Sequence, residues 1–216
     1  MPKGFTEREK EIIRSTLIEK GQAFFTTHGI RKTSVEDLTR AAGISKGAFY
    51  LFFGSKEELF FEILEQFEAE FRQSIFAHVF QPGKSGRQNF KHLLKNALLL
   101  WDTYPLLKNF DREEFEYLLR KIPPEKVTAH INRDDAFVAQ FIEKSKQEGL
   151  TIPHDPQVVS GLMKALFFVS LHKDDFGQEA YPQTMDLLID LVGNYLVEEE
   201  KGLGIREQGK GTDHRE

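Results

Sequence analysis

The segment Thr33–Leu59, TSVEDLTRAAGISKGAFYLFFGSKEEL, places three helix starts and two glycine breaks within 27 residues. Short helices joined by tight turns fit such spacing; long regular elements do not. Thr33 and Glu36 have the spacing of a capping box, as do Ser34 and Asp37 with a shorter acid, so a helix begins near Ser34 or Val35. Val35, Leu38 and Ala42 then share one face at spacings of three and four. Gly43 ends that helix and turns the chain, because glycine tolerates positive φ. Ser45 is a suitable N-cap for a second helix, which Gly54 closes. Ser55-Lys56-Glu57-Glu58 opens a third with another capping box.

A helix, a short turn containing glycine and a second helix form a helix-turn-helix, whose second helix meets base edges in the DNA major groove. Here its first residues are Ser45, Lys46, Gly47 and Ala48. Lys46 can donate to guanine or phosphate, and Gly47 and Ala48 are small enough for close approach. The Tyr50 hydroxyl can reach a phosphate, and Lys56 lies in a first helical turn whose N–H groups also favour anions. Thr33, with Ser34 beside it, offers a hydroxyl and a helix N-terminus. Phe49 belongs to the same stretch, although its chemistry, like that of Phe52 and Phe53, suits a core. Spacing alone leaves the purpose open, because capped helices joined through glycine also occur in proteins that never meet DNA.

The order of residues goes further. The run T-S-V-x-D-L-x-x-A-A-G-I-S-K-G-x-F-Y-x-x-F-x-S-K-E-E-L resembles the DNA-binding region of the TetR/AcrR family of transcriptional regulators. Ile13, Leu17, Gly21, Phe24, Phe25 and Gly29 extend the likeness through the preceding helix, so that it covers roughly residues 10–65. Thr39 stands where the family more often has Ala, and Phe52 where Tyr or His is frequent, which removes one phosphate contact from the set carried over. The resemblance implies an all-α chain with a helix-turn-helix DNA-binding domain at 1–54 and a ligand-binding and dimerisation domain at 55–200. It also implies a homodimer on a palindromic operator in double-stranded DNA, released by a small-molecule effector.

Charge tempers this picture. The net charge is −5, yet residues 1–60 carry ten Lys and Arg against eight Asp and Glu, a local +2, leaving −7 for the remainder. Binding must then rest on a few placed contacts and on dimerisation, and weaken as salt rises. There are no cysteines, which excludes disulfides and thiolate metal sites and agrees with a cytoplasmic location. The first residues lack an apolar signal core, and no run of eighteen apolar residues exists, so no membrane partner is expected.

After Gly54 the apolar periodicity is helical throughout. Leu59, Ile63, Phe67, Phe71 and Ile75 predict a long helix over 55–80, and further helices are predicted near 86–103, 112–121, from 124 or 132 to 148, 155–173 and 182–200. The last two have apolar residues on more than one side, which suits burial in their own core or against a partner; the resemblance implies that they pair with their copies in a four-helix dimer interface, here through Leu162, Leu166, Met185, Leu188 and Val192. In the final helix Leu187, Leu191 and Tyr195 form a second apolar face. Residues 201–216, rich in Gly and charge, are expected to be a disordered tail.

An effector pocket is expected between the long helix and those that follow. Its candidate lining is Phe67, Phe71, Trp101, Tyr104, Phe115, Tyr117, Phe137, Phe141, Phe168 and His172, suiting an apolar or aromatic molecule. The histidines, at 28, 78, 92, 130, 154, 172 and 214, include no pair at helical ligand spacing, so neither a metal site nor a cofactor is expected. No phosphate-cradling loop or nucleophile elbow appears, so catalysis is not expected either. Two other readings stay open: a helical adaptor that keeps the shape without binding DNA, and a small all-α enzyme.

Overall fold

The computed structural model describes residues 5–198 apart from 79, 80, 82, 108 and 109. The segment 201–216 lies outside the described residues, as does the expected end of the long helix at Phe80. The chain is all-α: α1 (Glu7–Lys32), α2 (Val35–Ala42), α3 (Lys46–Phe49), α4 (Lys56–His78), α5 (Gly86–Thr103), a 3-10 turn at Pro105–Leu107, α6 (Arg112–Lys121), α7 (Pro124–Gln147), α8 (Pro156–Leu171), α9 (Lys173–Phe176) and α10 (Ala180–Leu196). Among the described residues there is no β-strand; one isolated bridge joins Thr151 to Glu198.

Caps explain most of the boundaries. Thr6 and Glu9 form a capping box at the start of α1, and Ser85 and Gln88 do the same for α5. For α2 the structure selects Ser34 with Asp37 rather than Thr33 with Glu36. Gly43 follows with φ +68°, and its N–H closes on Arg40 and Thr39 carbonyls. A side chain there would be strained, so this glycine sets the turn of the helix-turn-helix. Pro156 opens α8 behind its Asp155 cap.

The α3 helix is shorter than expected. It spans four residues from its Ser45 cap and ends well before Gly54. The chain continues to Phe53 through turns, with Leu51 N–H donating to the Ala48 carbonyl and Phe52 N–H to that of Phe49. Phe49, buried completely, and Phe53 anchor these turns from below.

Two apolar clusters form the interior. One lies beneath α1–α3 and includes Leu17, Phe25, Leu38, Phe49, Leu59, Phe60 and Ile63, together with Leu106, Leu107, Phe110 and Leu118. The core of the DNA-binding end therefore continues past residue 54 into the first turns of α4 and reaches the 3-10 turn and α6. The other cluster joins α5, α7, α8 and α10 around Phe90, Leu94, Phe141, Val159, Leu166, Met185 and Ile189. Where α1 crosses α4, Gly21 faces Leu59 and Ile63; a Cβ on Gly21 would lie 3.0 Å from Leu59 Cδ2 and 3.1 Å from Ile63 Cδ1. Only a residue without a side chain fits there without displacing its neighbours.

Candidate DNA interface and regulatory interior

Ser45, Lys46 and Gly47 are exposed at the start of α3, and Tyr50 follows with 51% of its surface exposed. Ser45 Oγ accepts from Ala48 N–H at 3.2 Å, which fixes the helix start but occupies that oxygen. Lys46 donates to Glu36, one helix away on α2. This hydrogen bond raises the Lys46 ammonium above its ordinary pKa and lowers the Glu36 carboxyl. Tyr50 borders a cleft of about 310 Å³ lined also by Lys32, Ser34, Val35, Ser55 and Lys56. The N-termini of α2 and α4 both open on it, which favours an anion there. Lys32 is exposed and has no ion pair among the described residues. Its place in the cleft was not anticipated; the signal was a basic Arg31-Lys32 pair directly before the Thr33 turn.

Five residues of the expected interface are committed to the fold. Phe49 and Ala48 are buried in the core, so they shape the surface from beneath. Thr33 is 2% exposed, and its hydroxyl donates to the Gly29 carbonyl at 2.9 Å, closing the bend at the end of α1. Its side chain therefore cannot serve a phosphate as the sequence suggested. Lys56 Nζ donates to the carbonyls of Ile30 and Thr33, both at 2.7 Å, and of Arg31 at 3.1 Å. A helix C-terminus leaves its last carbonyls unpaired, and Lys56 satisfies those at the end of α1. Ser34, half-buried, caps α2, donating to Asp37 at 2.6 Å.

The α6 helix ties this end of the molecule to the rest. Tyr117 donates to Glu57 Oε1 at 2.5 Å, and Arg31 lies 5.3 Å from the Tyr117 ring while pairing with Glu114 at 3.1 Å. Burial first, and then Glu57, pushes the Tyr117 hydroxyl up to about 12. Tyr104 stacks on Phe67 at 3.7 Å and accepts from Gln22 of α1 at 3.0 Å.

The aromatic residues proposed to line one pocket are dispersed instead. Trp101, Phe115 and Phe168 form an edge-to-face group with Phe110 and Phe167. Phe141 packs near Phe90, Phe137 lies under Arg72, and His172 holds Asp175 at 2.8 Å. Trp101, Phe115, Phe137 and Phe141 pack against their neighbours, whereas Phe168 is half exposed on the outer side of α8. Of the expected set only Phe71 borders the described cleft of about 330 Å³ between α4 and α5, with Ile75, His92, Leu93, Asn96 and Leu100. Sequence periodicity marks a residue as inward but does not show whether the space before it is filled.

Residues 17–63 match the family described as bacterial regulatory proteins, tetR family. The HTH-type transcriptional regulator YhgD of Bacillus subtilis is 24% identical over 88% of this chain and 96% of its own length. The repressor KstR2 of Mycobacterium tuberculosis is 43% identical over 54 residues, 25% of this chain and 27% of its own. The full fold matches a TetR-family regulator from Pectobacterium atrosepticum with a TM-score of 0.65 at 20% identity, covering 89% of this chain and 96% of that one. It also matches SmeT, repressor of the Stenotrophomonas maltophilia efflux pump SmeDEF, with a TM-score of 0.57 at 20% identity, covering 87% and 91%. The DNA-binding end is that of the tetR family of bacterial regulatory proteins, and the chain as a whole has the fold of TetR-family regulators. The match to KstR2 spans about a quarter of its length.

The chain presents its apolar helices differently from expectation. Leu166 and Met185 are buried in their own subunit, and Leu162, Leu188 and Val192 pack half-buried against the same core. The free apolar face lies elsewhere on the same helices. On α10 it comprises Leu187, Leu191 and Tyr195, exposed by 60%, 57% and 75%; on α8 it runs through Val158, Gly161, Ala165 and Phe168. Helical wheels identified two apolar faces on α10 but not which one its own core would take.

A polar cluster between α4 and α7 was also missed. Glu65, Glu68 and Arg72 of α4 meet His130, Arg133 and Asp134 of α7. Burial pushes the Glu68 carboxyl up to about 7 despite His130 and Arg72 nearby. The cluster's only local signal is His130 with Asp134 one helical turn on, a histidine–carboxylate pair rather than a pair of histidines.

Proposed function

We propose that this TetR/AcrR-family chain is a cytoplasmic repressor that binds a palindromic operator as a homodimer and is released by a small-molecule effector. The observation that carries the DNA reading is the cleft bordered by Tyr50, Lys32 and the N-termini of α2 and α4, beside exposed Ser45, Lys46 and Gly47. Tyr50, Lys32 and the free N–H groups would hold a backbone phosphate, and α3 would then enter the adjoining major groove. Lys46 would exchange Glu36 for a base or phosphate on docking. One such reading head covers only a few base pairs, so two-fold pairing supplies the remaining specificity.

The exposed stripe on α8 and α10 fits a second copy. A continuous apolar face of this kind marks an association surface, and a two-fold axis makes it self-complementary. The small Gly161 and Ala165 allow close helix approach. The boundary between a DNA-binding unit at 1–54 and a regulatory unit at 55–200 would be functional rather than a break in the core. The cleft bordered by Phe71, Ile75, Leu93 and Leu100 has apolar walls and a polar edge at His92 and Asn96, suited to a mainly apolar effector. Its position against α4 would let a ligand tilt that helix. No membrane-crossing helix exists among the described residues. The regulatory role of relatives that match the chain, rather than catalysis, supports a non-enzymatic function.

Genomic-fragment selection with the purified chain tests this reading directly. Enrichment of an inverted repeat, lost with Tyr50→Phe combined with Lys32→Ala, is the expected result. Failure to enrich any fragment at low salt would favour the adaptor reading.

A further inference from the structure

We propose that Glu68, His130 and Asp134 form a binding site for a divalent transition-metal ion of the zinc class, bridging α4 and α7. The three side chains bring donor atoms within 4.8 Å of one another. They are the facing residues of two helices: His130 and Asp134 stand one turn apart on α7, and Glu68 projects from α4. One imidazole with carboxylates is a donor set typical of zinc and related ions, and the absence of cysteine excludes the thiolate alternatives.

The spacing of the imidazole from its neighbours is the second observation. His130 Nδ1 lies 3.6 Å from Glu68 Oε2 and 3.6 Å from Glu65 Oε1, and Nε2 lies 3.5 Å from Asp134 Oδ2. These gaps exceed the ordinary hydrogen-bond range. An ion on Nδ1 would have Glu65 and Glu68 close to the ligand–ligand separation of about 3.4 Å set by zinc–ligand bonds of about 2.1 Å, while Asp134 faces the other ring nitrogen and would reach the ion by a shift of its carboxylate. His130 Nδ1 is also a buried nitrogen with no hydrogen-bond partner. An ion bound between this nitrogen and the glutamates would satisfy it. Phe61 holds the ring edge-on at 5.4 Å, fixing its orientation from the apolar side. Glu65 is placed to complete the coordination.

Arg72 shapes the site as a competitor. Its guanidinium donates to Asp134 Oδ1 at 2.5 Å and to Glu68 Oε2 at 3.2 Å. Asp134 Oδ2 is left on the His130 side. The cluster sets the carboxylates of Glu65, Glu68 and Asp134 against the guanidiniums of Arg72 and Arg133, an excess of one negative charge when the imidazole is neutral. An entering dication would displace Arg72 toward the face of Phe137, 5.8 Å away. The metal would then clamp the long helix to α7.

The test uses the full chain, stripped with EDTA and titrated with zinc chloride against a chromophoric chelator, with metal per chain counted by atomic emission. One equivalent at micromolar zinc is expected, weakened at least about tenfold by His130→Gln and by Asp134→Asn, each with an unchanged circular dichroism spectrum. Arg72→Gln should tighten binding, because a competing cation is removed; a role confined to ion pairing would not produce that gain. His172→Ala, altering a surface histidine, should change nothing. Absence of stoichiometric zinc, or equal retention by His130→Gln and the unaltered chain, would overturn the proposal. The measurement does not involve DNA, so its failure leaves the operator-binding reading intact.

Discussion

Lys56 Nζ donates to the Thr33 carbonyl at 2.7 Å, joining the first turn of α4 to the turn between α1 and α2. With its bonds to Ile30 and Arg31, this makes Lys56 a bracket for the end of α1. Lys56→Ala should cost about 2 kcal/mol, the scale of hydrogen bonds made by a charged donor. For a chain of this size the melting temperature should fall by about 4–8 °C. An unchanged melting curve combined with a salt slope of DNA binding reduced by about one would show instead that Lys56 contacts phosphate.

Glu36 restrains Lys46 before DNA arrives. Glu36→Gln should free the ammonium and remove a negative charge from the interface, raising operator affinity severalfold at low salt. Lys46→Ala should lower affinity and reduce the slope of log K against log salt by about one. Equal affinity of Glu36→Gln and the unaltered chain, measured by fluorescence anisotropy, would count against a Lys46 contact.

The two apolar faces of α8 and α10 make opposite predictions. Leu191→Glu should yield monomers in analytical ultracentrifugation, because the exposed stripe then buries a charge on pairing. Leu166→Ala, in the subunit core, should destabilise by about 2–4 kcal/mol and leave the association constant nearly unchanged. The reverse pattern would place the interface on the inward face.

Tyr117 links α6 to the base of α4 through buried Glu57, so Tyr117→Phe leaves a carboxylate short of a donor. A loss of about 1–3 kcal/mol at neutral pH is expected. The raised Tyr117 pKa means the folded state holds that proton more tightly than the unfolded chain does. Its contribution is therefore complete below about pH 10, where an unfolded tyrosine titrates, and is lost as pH rises toward 12. Urea melts across that window should show the two chains converging; a constant gap would remove the hydroxyl from the link.

Much of the architecture was legible in order and spacing. Gly43, Ser45 and Ser55 mark their turns and caps because these follow from one residue's conformational or hydrogen-bonding preference. The α5 and α6 limits fall at the residues that periodicity and proline placement predict. What escaped depends on partners distant in sequence. Lys56 reads as a free cation until the end of α1 is brought beside it. Phe49 reads as both contact and core until its surroundings are known. The cluster around His130 combines two helices separated by about sixty residues, so no local pattern could announce it. The choice between the faces of α10 likewise depends on where α5 and α8 pack.

The contact at Gly21 bears on how motion would pass through the molecule. With no side chain on Gly21, the α1 backbone rests directly on Leu59 and Ile63 of α4, which leaves little slack to absorb a small rotation of the long helix. Such a joint has almost no backlash: a tilt of α4 would carry α1 with it at once. Substituting a larger residue there would insert a spacer, and the protein could then keep its fold while losing the fidelity with which one end reports to the other.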